Sequence, residues 1–275
     1  MDPMTGQKVV LVTGASSGIG AAISGQLARD GHRVFGTSRK VTGTDGSTVE
    51  RSGVAMLALD VCSDDSVRAC VAAVLAQAGR IDVLVNNAGY LLAGAIEEAT
   101  IEQAKAQFDT NFFGTARMVK AVLPTMRAQR SGHIINMSSL AGIVPAPFWG
   151  YYNASKFAVE GYTETLRLEL TPFGIKVSMV EPGAINTPFF AQAAPPPMPE
   201  YSPWRDRALG TMKGFEQKAP GPDVVAQVVS RVVAASSPRL RYPVTFEGRM
   251  FPLMRRFLPD SLFEAGARLS FHLDR

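Results

Sequence analysis

Short apolar runs rich in β-branched residues recur along this chain, at Val9–Val12, Val34-Phe35, Val54–Leu57, Ile81–Val85, His133–Met137 and Ile175–Val180, and most of the segments between them are long enough for a helix. Continuous apolar strands, as opposed to strands that alternate apolar and polar residues, belong to a parallel sheet covered on both faces, and parallel neighbours are joined by helical crossovers. The expected architecture is therefore a doubly wound α/β fold with a parallel central sheet. No repeat of roughly 20–50 residues is visible, and no Gly/Ser linker interrupts the first 187 residues, so a single domain over residues 1–275 is expected. With 46% hydrophobic and 19% charged residues, the chain has ample apolar material for a core, and wholesale disorder is excluded.

The alternation breaks at Pro195–Pro199, where four of five positions are proline and neither a helix nor a central strand can continue. A loop or substrate lid is expected over 188–221. Regular structure is expected to return with a helix from Pro222-Asp223 through Ala235, a short strand at Arg241–Phe246 and an amphipathic, partly helical tail from Met250, with 238–275 forming a C-terminal extension.

Two cysteines, Cys62 and Cys70, cannot form a disulfide framework and lack the partner spacing of a zinc site, so a reducing, cytoplasmic setting and no metal are expected. Met1–Lys8 has no apolar leader stretch, and no run reaches the ~18 apolar residues of a membrane span. Lys and Arg number 28 against 24 Asp and Glu, a net charge of +4. They are scattered until a cluster at Arg239–Arg256 and are read as solvated charges; a nucleic-acid face would reveal itself by strongly salt-dependent binding.

Gly14, Ser16, Ser17, Gly18, Ile19 and Gly20 follow the first strand directly and open a helix. Glycines there permit a tight turn and close backbone approach, and the amides of a helix N-terminus suit a pyrophosphate. At the end of the second strand an acidic residue would take the ribose hydroxyls of NAD, whereas Arg accommodates a 2′-phosphate. Gly36–Lys40 contains no acid but holds Arg39, which with Ser16 points to NADP(H). Farther on, Tyr152 and Lys156 lie one helical turn apart on one face, with Tyr151 one residue off that register. A phenol with a pKa near 10 needs a neighbouring cation to exchange protons at neutral pH.

In combination, Gly14/Gly18/Gly20, Asn86–Gly89, Ser139 thirteen positions before Tyr152, the Tyr152/Lys156 pair and Pro182-Gly183 resemble the short-chain dehydrogenase/reductase superfamily in its short, single-domain, Rossmann-type form. The motifs stand in the family order from Val9 to about Thr187. The resemblance implies that Tyr152 is the general acid/base, that Ser139 hydrogen-bonds the substrate oxygen, and that Lys156 binds the nicotinamide ribose and lowers the Tyr152 pKa. It further implies that Asn111 holds a water linking Lys156 to solvent. Asp60 and Val61 would sit at the adenine, and Asn87, Ala88 and Gly89 beside its ribose. Pro182, Gly183, Ile185 and Thr187 would lie at the nicotinamide end. The resemblance also implies a homodimer or homotetramer paired through the helix from Tyr151 to Leu170, and the C-terminal segments are similar to those of hydroxysteroid and retinol dehydrogenase-like members. Such a tail can cover the pocket, rest on a membrane surface or pack on the body.

Leu91, Leu92, Val144, Phe148, Trp149, Phe189 and Phe190 follow strand C-terminal ends, where α/β folds bind ligands, and are expected to form an apolar pocket. The expected activity is an NADP(H)-dependent interconversion of a hydrophobic alcohol and its ketone or aldehyde. The alternative is a non-catalytic dinucleotide-binding regulatory or scaffold protein of the same fold, against which the joint presence of Asn111, Ser139, Tyr152 and Lys156 argues.

Overall fold

The computed structural model describes residues 6–41, 49–191 and 193–274. Its strands are β1 (Val9–Val12), β2 (Arg33–Ser38), β3 (Val49–Arg51), β4 (Val54–Ala58), β5 (Val83–Asn86), β6 (Gly132–Met137), β7 (Ile175–Glu181) and β8 (Arg241–Pro243). They form one sheet in the order β3-β4-β2-β1-β5-β6-β7-β8, parallel throughout except for the antiparallel pairing of β3 with β4.

Because successive strand side chains point to opposite faces, β1 feeds two cores. Val10 and Val12 pack with Ile23 and Leu27 of α1 (Gly18–Arg29) and with Val225, Val229 and Val232 of α7 (Asp223–Ala234). Val9 and Leu11 face the other layer, α2 (Asp64–Ala78), α4 (Gly114–Gln129) and α5 (Gly150–Leu170), through Val67, Val74, Met118, Val122 and Leu166. Each such fully buried side chain contributes on the order of 1.5–3 kcal/mol relative to exposure. Helix ends follow local chemistry. Ser63 caps α2 by accepting from the Ser66 amide, and Thr100 and Gln103 form a reciprocal capping box on α3 (Ile101–Phe108).

Chain order reverses at β1, which lies between β2 and β5, and this switch point opens a crevice beyond the strand C-terminal ends. The doubly wound α/β expectation holds, with three local corrections. The edge strand β3 was not anticipated, because all three of its residues are exposed and carry no apolar pattern. Inside the 188–221 segment lies a helix, α6 (Trp204–Lys218), where only irregular structure was expected. The last strand stops at Pro243 and does not extend to Phe246: Thr245 accepts from the Gly248 amide and starts α8 (Phe246–Phe257), which α9 (Asp260–Ser270) follows.

Candidate active site

A cleft of about 920 Å³ occupies the switch point. Its floor at one end is the turn between β1 and α1. Gly14 has φ +68°, and a Cβ on Gly20 would lie 2.2 Å from the Gly14 carbonyl oxygen, so only glycine closes this turn. The Asn87 side chain donates to the carbonyls of Thr13 and Gly14 at 3.0 and 3.2 Å, tying the end of β5 to the turn. Ser17, the N-cap of α1, makes no side-chain bond to the first helical turn, which leaves those amides open to an anion. Thr37 Oγ1 is buried beside the cleft without a hydrogen-bond partner among the described residues. Arg39, at the tip of β2, is exposed and lines the same cleft. A glycine cradle, an uncapped helix start and an exposed guanidinium at the far end fit a phosphorylated dinucleotide.

Ser16, Ser17, Gly18, Ile19, Asp60, Val61, Ala88, Gly89, Pro182, Gly183, Ile185 and Thr187 all border this cleft with Gly14, Gly20, Asn87 and Arg39. So do Ser139, Tyr152 and Lys156, at the other end. Asn86 donates to Asn136 Oδ1 at 2.9 Å, and Asn136 to Thr163 Oγ1 at 2.9 Å, so Asn86 serves to tie strand ends together. Asn111 sits in a π-helical turn (Asp109–Phe113) that interrupts α3 and α4. Its amide group bonds both backbone polar atoms of Tyr90 at 3.0 Å and Ser155 Oγ at 3.1 Å, so it clamps the loop after β5 to α5 and does not border the cleft.

Tyr152 is 5% exposed and borders the cleft together with Ser139, whose hydroxyl accepts from the Ala141 amide at 3.1 Å. Tyr151, the off-register neighbour, lines a separate shallow groove with Ile101 and Phe113. Burial pushes the Tyr152 phenol up to about 12, with the neighbouring Ser139 hydroxyl acting in the opposite sense. Lys156 Nζ donates to the Met137 carbonyl at 2.8 Å and stands 5.8 Å from the Tyr152 ring centroid. Burial in turn brings the Lys156 ammonium down to about 8, Glu160 opposing.

The expected apolar pocket is assembled only in part. Val144, Trp149 and Phe189 border the cleft, and the rings of Trp149 and Phe189 each lie 5.7 Å from that of Tyr152. Leu91 and Leu92 are buried at 1% and 4% exposure; Leu91 packs beneath Tyr152 with Ala93 and Ala141, and Leu92 pairs with Ala193. Phe148 adopts φ +61° and turns its ring edge-on to Tyr201. The side chain of Phe190 lies outside the described residues. In place of these, Met212 and Phe215 of α6, Phe251 of α8 and Phe271 complete the apolar wall. No local motif marks them, because elements remote in the chain bring them back to the switch point. Among the described residues, no helix is long and apolar enough to cross a membrane, and both cysteines are free.

Residues 8–197 match the short chain dehydrogenase family. The chain belongs to that family. It is 39% identical over 269 residues to a 3-ketodihydrosphingosine reductase of Bacteroides thetaiotaomicron, covering 96% of this chain and 98% of the relative. It is also 39% identical over 253 residues to retinol dehydrogenase 8 of Bos taurus, covering 85% and 80%. Among solved structures, a short-chain dehydrogenase from Streptomyces avermitilis superimposes with a TM-score of 0.80 at 33% identity, over 98% of this chain and all of that one. One from Burkholderia phymatum in complex with NAD gives 0.79 at 25%, over 91% and 93%. A metagenomic short-chain oxidoreductase in complex with NADP gives 0.68 at 31%, over 88% and 98%. This short-chain dehydrogenase therefore has a dinucleotide-binding fold whose relatives use either cofactor.

Proposed function

We propose that this oxidoreductase reduces the carbonyl of a hydrophobic substrate, and in reverse oxidises the alcohol, using NADP(H), with Tyr152 as the general acid/base. The observation that carries the reading is a buried phenol that shares its cleft with Ser139, set between a glycine cradle and an aromatic wall. Gly14–Gly20, Asp60, Val61, Asn87–Gly89, Lys156, Pro182, Gly183, Ile185 and Thr187 would hold the dinucleotide, which supplies the hydride when bound. Arg39, with no acid between Gly36 and Lys40, supports NADP(H) over NAD(H). Ser139 orients the substrate oxygen, and Tyr152, protonated throughout the neutral range, gives it a proton as the oxygen gains charge.

Trp149, Phe189, Met212 and Phe215 support an apolar substrate, and relatives named for ketodihydrosphingosine and retinol support the same class. The 188–221 segment, with α6, serves as the substrate lid, and 238–275 borders its mouth through Phe251 and Phe271. Exposed Phe113, Phe157 and Leu168 support self-association into a dimer or tetramer, and the unpaired thiols a cytoplasmic setting. The test is NADPH and NADH oxidation over ketones and aldehydes of increasing alkyl length. Turnover that rises with chain length and prefers NADPH is expected. Tight dinucleotide binding with no turnover on any carbonyl would favour the non-catalytic alternative.

A further inference from the structure

Helix α5 carries ionisable residues at intervals of one turn, Tyr152, Lys156, Glu160 and Glu164, so all four share a face. The first three are buried, at 5%, 6% and 6% exposure. Ser138 Oγ donates to Glu160 Oε1, and Arg241 of β8 reaches Glu160 Oε2. The same guanidinium binds Glu164 and, at 2.6 Å, Glu181 at the end of β7. A Cβ built on Gly142 would lie 2.8 Å from Ser138 Oγ, 3.0 Å from Glu160 Cγ and 3.1 Å from the Lys156 carbonyl oxygen, so these three residues converge on one point.

The charges around Glu160 are those of Lys156 and Glu164 on its own helix, Glu181 on β7 and Arg241 on β8. One guanidinium facing three carboxylates leaves negative charge in excess, and the next cation along α5 is Lys156. We propose that Glu160 is a positioning residue for the Tyr152/Lys156 pair: its carboxylate, clamped by Ser138 and Arg241, keeps the Lys156 ammonium charged and seated on the Met137 carbonyl. The inference rests on the reading given above, with Tyr152 as the acid/base and Lys156 as a residue that holds the dinucleotide. Burial raises Glu160 above the ordinary carboxylate range, with Ser138 and Arg241 acting in the opposite sense, and burial and then Glu160 push Glu181 up to about 7. The last strand of the sheet thereby acts on the chemistry without touching the substrate.

The experiment follows kcat/KM for the preferred cofactor as a function of pH, which reports groups of the free enzyme, together with cofactor affinity by nicotinamide fluorescence. In Glu160→Gln the alkaline limb of both curves is expected to move down by about one pH unit, the lower end of what a neighbouring opposite charge produces. At pH above the limb this is a loss of about tenfold. Glu160→Asp, which keeps the charge at slightly greater reach, should fall between Glu160→Gln and wild type. An unmoved limb in Glu160→Gln overturns the proposal even if that variant melts earlier, since a merely structural role lowers stability without moving a titration. Should Glu160→Gln not fold, Glu160→Asp decides: an unmoved limb there overturns it equally. Tyr152→Phe and Lys156→Ala separate the two levels. Wild-type turnover in either refutes the underlying catalytic reading, whereas inactive controls beside an unmoved Glu160→Gln limb refute this inference alone.

Discussion

Replacing Tyr152 by Phe removes one oxygen from a ring that is packed against Trp149 and Phe189. The fold and cofactor affinity should persist while kcat falls by about 10²–10⁴-fold, the usual worth of a positioned acid/base. Wild-type kcat in that variant would remove Tyr152 from the mechanism. Arg39 sets a different comparison, because it is exposed and its partner would be a phosphate near the surface. Arg39→Ala should cost NADPH about 1.5–3 kcal/mol of binding, a charge-assisted hydrogen bond, and leave NADH nearly unaffected. Fluorescence titrations of both cofactors decide this, and an unchanged NADPH/NADH ratio would return Arg39 to the role of a solvated charge. At this scale the residues fixed by backbone demands were legible in the sequence: Gly14 and Gly20 by the turn, Tyr152 and Lys156 by helical register. Leu91, Leu92 and Phe148 were not, because the chain's direction after a strand end decides whether an apolar side chain faces the cleft or the core.

Between elements, the most telling junction is Glu98. Its buried carboxylate accepts from the amides of Ala95 at 2.7 Å and Met198 at 2.8 Å and pairs with Arg205 of α6 at 2.5 Å. Burial alone would push Glu98 up, but those two amides and Arg205 hold it below the usual carboxylate range. The loop after β5 is thus fastened to the proline-rich strap and α6, the elements that carry part of the apolar wall. Glu98→Ala deprives the amides of Ala95 and Met198 of their acceptor, leaves Arg205 with Asp206 as its remaining acid, and should destabilise the protein by about 1–3 kcal/mol. KM for hydrophobic carbonyls should rise more than kcat falls. Thermal melts and steady-state kinetics check both, and an unaltered KM would show that the strap does not shape the substrate site. Strand and helix order was readable from the apolar runs because a two-sided parallel sheet demands them. The antiparallel β3 escaped because an exposed edge strand needs no apolar residue, and α6 because it buries only Ala208, Met212 and Glu216, too narrow a stripe to register between prolines.

For the molecule as a whole, pH acts through groups that the sheet buries. His133 on β6 is paired with Ser178 Oγ at 3.0 Å, and Ser178 already donates to the Arg239 carbonyl at 2.7 Å, so the imidazole donates from Nε2. Burial, then the nearby cations Lys176, Lys8 and Arg167, bring it down to about 3. The unfolded chain therefore binds an extra proton between about pH 3 and its ordinary 6.5, and stability is lost as pH falls through that window. Glu181, raised to about 7, contributes in the opposite direction: its stabilisation is complete at low pH and is lost as pH rises through 7. Melting temperature against pH should accordingly fall below about pH 6.5 less steeply in His133→Gln than in wild type; parallel curves would exclude His133 as the source. A last consequence concerns time. Arg241 lies 60 residues beyond Glu181. A chain emerging from the ribosome presents every motif by which the family is recognised, Tyr152 and Lys156 included, while the counter-ion for Glu160 and Glu181 is still unsynthesised. Buried carboxylates without a partner resist compaction, so the growing chain stays electrostatically unfinished until β8 has been made, well after the last of those motifs.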